Sequence, residues 1–269
     1  MRILFFGDVV GRPGLNALTS LLPSLRDSYG ADFVIVNGEN ASSNGRGLTE
    51  REYEALLAGG ADCVTLGNHW RGKDEIDDWI NEASNLVRPL NLIGYAKGAG
   101  SQLFDVDGTP LRVTNLLGAA FLKEMVNSPY SAMDALLEKE EDALHVVDFH
   151  AESTSEKETL AYYLDGRVSA VLGTHTHVQT NDPRILPHGT GYLSDVGYCG
   201  LYESVIGFSP EAAIRKTVQG EKIPFQIPKE GKCILDFALL DLDEANGECL
   251  RVKPVSLIGG KERDGEAGI

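Results

Sequence analysis

The chain has 269 residues, 42% of them hydrophobic, and a formal net charge of −16 from 24 basic and 40 acidic side chains. No apolar run is long enough to cross a bilayer as a helix, which excludes that class of membrane protein. An acidic excess of this size sets the surface against long nucleic acids, and most of it serves solubility.

The first apolar run, Ile3 to Phe6, reads as a strand and meets an acid at Asp8, too soon for a signal peptide. A helix follows with Leu15, Leu18, Leu22 and Leu25 on one face, and Pro23 predicts a kink or break near Leu22. Phe33 to Val36 is the second strand, ending in Asn37-Gly38-Glu39-Asn40. The loop Gly38 to Gly47 reads as a phosphate wrap or as simple turn geometry. Thr49 and Glu52 form a capping box for the next helix. Cys63 to Leu66 is the third strand, ending in Gly67-Asn68-His69, and Ile76, Trp79, Ile80 and Ala83 mark a helix after it. Phe104 to Val113 around Asp107-Gly108 is a hairpin. Ser128-Pro129 opens a helix to about Glu141. Val146 to Phe149 is a strand ending at His150, and Ser153 and Glu156 cap a helix that stops near Gly166. Val168 to Leu172 is a further buried strand, followed by Gly173-Thr174-His175-Thr176-His177. Tyr192 to Ser194 is a short strand, and Ser209-Pro210-Glu211 starts a helix. Cys233 to Leu240 and Leu250 to Leu257 form a C-terminal hairpin. The layout is one domain over residues 1–258 with a flexible tail at 259–269. Cys63, Cys199, Cys233 and Cys249 are scattered without a CxxC pair, as reduced structural thiols of a cytoplasmic protein would be.

Five strand runs each end in a residue that can bind a metal: Asp8, then Glu39 and Asn40, then Asn68 and His69, then His150, then His175 and His177. In open α/β sheets, ligands bind beyond the carboxyl ends of the strands, so these residues converge if the strands lie side by side in a parallel core. Taken singly each is weak. The His175/His177 pair reads equally as metal ligands projecting from one side of extended backbone or as a polar turn. Asp8 alone is a turn former, Asn40 a loop residue, His150 a hydrogen-bonded edge histidine. The joint pattern is what the bland readings explain poorly.

Carboxylate, amide and imidazole without thiolate suit Mn²⁺, Fe²⁺ or Zn²⁺. Asp8, Glu39, Asn40, Asn68, His150, His175 and His177 are too many for one ion, and suit two ions roughly 3.5–4 Å apart sharing a carboxylate. Two divalent cations, less the charges of Asp8 and Glu39, leave a balance matching one hydroxide and one phosphodiester anion. His69 is the candidate general acid for the leaving oxygen, with orientation of Asn68 as its alternative. His145 reads as structural or exposed, His188 and Arg46 as solvated. Asp195 is a candidate carboxylate partner for a metal-binding histidine.

Gly7-Asp8-Val9-Val10-Gly11, Val36-Asn37-Gly38-Glu39-Asn40, Thr65-Leu66-Gly67-Asn68-His69, Val147-Asp148-Phe149-His150-Ala151-Glu152 and Gly173-Thr174-His175-Thr176-His177 together resemble the calcineurin-like metallophosphoesterases. The closer resemblance is to their YmdB-type branch of bacterial cyclic-nucleotide phosphodiesterases, in which, as here, Val10 and Glu39 replace the superfamily's His and Asp. The resemblance covers Met1 to about Ile258. It implies a four-layer α/β/β/α sandwich of two mixed sheets flanked by helices. It implies one metal held by Asp8, Glu39, Asn40 and His177, and another by Glu39, Asn68, His150 and His175. The ions would be Mn or Fe, divalent or mixed-valence, with Zn an option. A bridging hydroxide would attack phosphorus in line and His69 would protonate the leaving group. The implied substrates are 2′,3′- or 3′,5′-cyclic nucleotides and simple phosphodiesters, and the implied assembly is a homodimer or homotetramer. A phosphomonoesterase on the same metals, and a non-catalytic nucleotide-binding regulator, are the alternatives. Trp70-Arg71-Gly72, and one extra residue between Asn40 and Gly45, depart from relatives at the mouth of the site and bear on substrate preference.

Overall fold

The computed structural model describes residues 1–139 and 144–263. The first part of the chain forms β1 (Arg2–Phe6), β2 (Asp8–Val9), α1 (Gly11–Tyr29), β3 (Phe33–Asn37), α2 (Glu50–Ala58), β4 (Cys63–Thr65), α3 (Ile76–Trp79) and β5 (Leu86–Val87). Next come β6 (Ser101–Val106), β7 (Thr109–Leu117), α4 (Pro129–Leu137), β8 (Leu144–His150), α5 (Thr154–Tyr163), β9 (Ala170–Thr174), β10 (Arg184–Ile185) and β11 (Gly191–Leu193). The chain ends in β12 (Tyr198–Leu201), α6 (Pro210–Thr217), β13 (Cys233–Leu242), β14 (Cys249–Ile258) and β15 (Lys261–Glu262).

These strands make two sheets. One has nine strands, in the order β15-β14-β13-β1-β3-β4-β5, with β12 and β2 attached beside β13. The other has six, in the order β10-β11-β9-β8-β7-β6. Both are mixed: β1, β3, β4 and β5 run parallel in the first, and β7, β8, β9 and β11 in the second, with antiparallel strands at their flanks. Alternation along the central strands explains the stacking. Ile3 and Phe5 of β1 face Val146, Ala170 and Leu172 of the second sheet in one apolar layer. Their neighbours Leu4 and Phe6 face the other way, onto Leu15, Leu18 and Leu22 of α1. Val147 and Phe149 of β8 likewise face Leu160 and Ala161 of α5 and Met133 of α4. The result is helix, sheet, sheet, helix. Each fully buried Leu, Ile or Phe contributes roughly 1.5–3 kcal/mol, so these three layers of contact carry most of the stability.

The architecture is the expected pair of mixed sheets; the parallel strands are divided between them, and the ligand-type residues meet across the seam. Three expectations change. Helix α1 runs unbroken through Pro23 because Leu15, Leu18 and Leu22 are buried along it and Leu25 packs on the same core. Packing there outweighs the lost hydrogen bond. The helix expected around Trp79 shrinks to four residues. Its apolar side chains are buried as expected, but Asp77 and Asn81 bond to Tyr95 and to the Gly98 N–H, so polar side chains compete with helical propagation. Finally, Lys261–Glu262 return to pair with β14, so the ordered chain passes the predicted boundary at 258; residues 264–269 of the expected tail lie outside the described residues. The end of the helix expected to reach Glu141 lies outside them too.

Candidate metal centre

The carboxyl ends of β1, β3 and β4 in one sheet and of β8 and β9 in the other open on the same spot. Asp8 N donates to Gly197 O at 3.1 Å, and its Oδ2 accepts the His175 N–H at 3.1 Å. Glu39 Oε2 accepts the His69 N–H at 2.8 Å, tying the loop after β3 to the loop after β4. Glu39 Oε1 lies 3.3 Å from His150 Nε2. Asn68 Oδ1 and His175 Nδ1 approach that same nitrogen to 2.9 and 3.0 Å. His177 Nε2 is 3.9 Å from Asp8 Oδ1. Asn40 reaches the group through His69, with its Nδ2 3.1 Å from His69 Nδ1. All eight sequence-predicted residues therefore share one neighbourhood. Gly67 makes the closest approach possible: a Cβ there would fall 2.3 Å from Glu39 Oε2 and 2.5 Å from His150 Nε2.

The histidines sit on a turn and do not project from extended backbone. Strand β9 ends at Thr174, and His175 and His177 both take positive φ, +106° and +59°. For non-glycine residues this conformation costs energy and persists only where the surroundings hold it. Asp195 provides part of the hold. Its Oδ2 accepts the N–H of Thr176, between the two histidines, at 3.0 Å and the buried Lys157 Nζ at 2.8 Å. The expected bond from Asp195 to a histidine ring is absent; it grips the loop backbone instead.

Which nitrogens face inward follows from what stands behind each ring. His177 Nδ1 is 3.1 Å from Ile206 O, a carbonyl that can only accept, so Nδ1 carries the proton and Nε2 turns a lone pair to Asp8. His175 Nε2 lies 3.0 Å from the Glu152 carboxylate, so Nδ1 presents the lone pair. The Thr174 hydroxyl donates its one proton to Asp148 Oδ1 at 2.7 Å and must accept from His150 Nδ1 at 2.9 Å. Thus the neutral His150 ring also points its Nε2 lone pair inward. Glu39, His150 and His175 present ligand atoms all within 4.8 Å of one another. Buried Asp8 Oδ1 and Asn40 Oδ1 have no hydrogen-bond partner among the described residues. Acceptors converging on acceptors, with orphaned buried oxygens beside them, call for positive charge, either a proton on His150 or a cation. This donor set of oxygen and imidazole nitrogen fits divalent transition cations.

Ionisation agrees. Burial pushes the Glu39 carboxyl upward, but His150 and His69 more than offset it and hold it well below the usual range. Burial depresses His150, yet Glu39, Asp8 and Asp148 lift it to about 9; the pull on that proton is the pull a cation would feel. Burial and the neighbouring His150 lower His175 to about 3, keeping it neutral and able to ligate.

The remaining candidates stay apart. His145 is buried on β8, with Nε2 2.8 Å from Thr114 Oγ1, and His188 is exposed beside Asp165. The loop from Gly38 to Gly47 spends its backbone on itself, through Gly47 N to Glu39 O, Ser42 N to Gly47 O and Gly45 N to Ser42 O. That favours turn geometry over a phosphate wrap. Arg46 is exposed, Arg71 pairs with Asp77, and Trp70 packs on Tyr95. Among supporting residues, Glu152, Thr174, Asp148 and Asn37 escaped sequence reasoning as functional. Their only signal was membership of the motifs that carry the ligands.

The family model for "YmdB-like protein" matches residues 4–255. The 2′,3′-cyclic-nucleotide 2′-phosphodiesterase of Bacillus subtilis is 42% identical over 256 residues, covering 95% of this chain and 96% of the relative. A solved structure described as a novel phosphatase, from Mycoplasma pneumoniae, superposes with a TM-score of 0.89 at 38% identity, covering 96% of this chain and 93% of that one. A hypothetical protein from Thermus thermophilus superposes with a TM-score of 0.89 at 41% identity, over 96% and 99% of the two chains. The match extends from the first strand to the last long one and includes every motif that meets at the seam: the chain belongs to the YmdB-like family of the calcineurin-like metallophosphoesterases.

Proposed function

We propose that this phosphoesterase is a dinuclear metal-dependent phosphodiesterase acting on small phosphodiesters, with 2′,3′- or 3′,5′-cyclic nucleotides as its substrate class. The reading rests above all on three imidazoles whose rear nitrogens are engaged as donors, turning lone pairs onto a buried carboxylate cluster. The name of the 42% identical Bacillus subtilis relative supports the substrate class.

Asp8, Glu39, Asn40 and His177 would hold one cation and Glu39, Asn68, His150 and His175 the other. When bound, such cations neutralise phosphoryl charge and lower the pKa of water. The protein's own part is orientation and proton delivery. Glu39 is buried and touches both His150 and His69, so it is the carboxylate placed to be shared. His69 is about one-third exposed at the edge of the cluster, with Nδ1 between Asn40 Nδ2 and Glu39 Oε1. No protein hydrogen bond occupies its Nε2 among the described residues. That nitrogen is free to give a proton to a leaving oxygen while the ring stays tethered.

The test is hydrolysis of bis-p-nitrophenyl phosphate and 2′,3′-cyclic AMP with added Mn²⁺, with p-nitrophenyl phosphate as the monoester control. Turnover of the diesters that collapses in Asn68→Ala supports the reading. Preference for the monoester moves it to a phosphatase, and tight nucleotide binding without product moves it to a regulator.

A further inference from the structure

Asp148 is fully buried at the seam; so far it has entered only as the acceptor of the Thr174 hydroxyl and as one of the charges around His150. Its two oxygens each take a separate donor, and the two donors are neighbours, with Asn37 Nδ2 3.4 Å from Thr174 Oγ1. Oδ1 accepts the Thr174 hydroxyl, which in turn accepts His150 Nδ1–H. Oδ2 accepts Asn37 Nδ2 at 3.1 Å, and Asn37 Oδ1 accepts the Glu39 N–H at 3.1 Å. Asn37 Nδ2 also lies 3.3 Å from Leu66 O, at the end of the strand that leads to Asn68. Asn37 is the last residue of β3, in the nine-stranded sheet. His150 and Thr174 are the paired last residues of β8 and β9, in the other sheet. One carboxylate thus governs a ligand ring on one sheet and a ligand backbone on the other.

We propose that Asp148 is a positioning residue that braces the two halves of the candidate metal centre, with Thr174 and Asn37 as its arms. The proposal rests on reading the site as a metal centre. An amide cannot replace the carboxylate. If Asn at 148 kept its oxygen toward Thr174, its NH₂ would face the Asn37 NH₂. Turned round, it would donate to Thr174, whose hydroxyl would then donate to His150 Nδ1 and move the ring proton to Nε2, the ligand nitrogen. A brace that only stabilised the core would show none of this dependence on proton direction.

The experiment is isothermal titration of Mn²⁺ into the full-length, metal-stripped protein, for wild type, Thr174→Val, Thr174→Ser and Asp148→Asn, with a thermal melt of each stripped protein. Valine removes the hydroxyl at nearly constant volume, while serine keeps it. Thr174→Val and Asp148→Asn should weaken Mn²⁺ binding about 10–100-fold, as loss of an outer partner of a ligand does. Thr174→Ser should bind as wild type does. If Asp148→Asn fails to fold, the valine–serine pair still decides. A valine variant that binds as tightly as wild type overturns the brace, as does a serine variant impaired as badly as the valine one. A wild type that takes up no Mn²⁺ overturns the metal-centre reading, and the brace with it.

Discussion

His69 occupies a distinctive position: its backbone is tied to Glu39 and its side chain is partly exposed. A proton donor matters only when the leaving group is basic. His69→Ala should therefore slow cleavage of an alkyl phosphodiester by about 10²–10⁴-fold and spare a p-nitrophenyl diester, whose leaving group needs little protonation. Equal loss on both, measured as kcat/KM, would remove the acid role. At this scale the ligand-type residues were legible because type and place are local facts: Asp, Asn and His directly after apolar runs. Glu152 and Asp148 were not. A carboxylate becomes a partner of a histidine only through which oxygen faces which nitrogen, and the relevant contacts, Glu152 to His175 and Asp148 to Asn37, join parts of the chain far apart in sequence.

The loop His175-Thr176-His177 shows what an element needs to hold strained geometry. Its two positive φ angles stand over a buried ion pair, Lys157–Asp195, whose carboxylate takes the Thr176 N–H. Removing one member leaves a buried charge uncompensated. Asp195→Ala should lower unfolding free energy by about 3–5 kcal/mol in urea titrations. It should also free the loop, visible as faster amide exchange at Thr176 than in a Thr49→Ala control that loses only a helix cap. Strands such as β1, β3 and β9 could be read directly, since a short apolar run bounded by polar residues fits a buried strand better than any amphipathic element. The break allowed for in α1 and the longer helix expected around Trp79 missed in opposite senses. Proline and periodicity are local signals, while the burial of Leu22 and the bonds from Asp77 and Asn81 are not.

Across the whole molecule, acid stability has an identifiable contributor away from the site. His145 is buried between Thr114 and Ser169, and burial, with Arg112 nearby, lowers its pKa from 6.5 to about 3. The unfolded chain then binds a proton below pH 6.5 that the folded one refuses, so stability falls as pH drops through that window toward 3. The slope from this group approaches about 1.4 kcal/mol per pH unit. His145→Gln should flatten the wild-type loss of unfolding free energy between pH 6.5 and 5; an unchanged slope would assign the acid sensitivity elsewhere. The motif set and its implied family made the two-sheet architecture legible. The strands' own patterns did not, because a buried apolar run does not say which sheet it joins.

Asp8 and His175 touch at the seam although 167 positions separate them in the chain. All four cysteines are free thiols, so no covalent bond spans that interval. A cation gripped from both layers would close it instead, acting as a cross-link that a chelator can cut. Loading would then stabilise the folded chain by mass action, because the unfolded chain has no assembled cluster to hold the ion, and withdrawing the ion would reverse the effect.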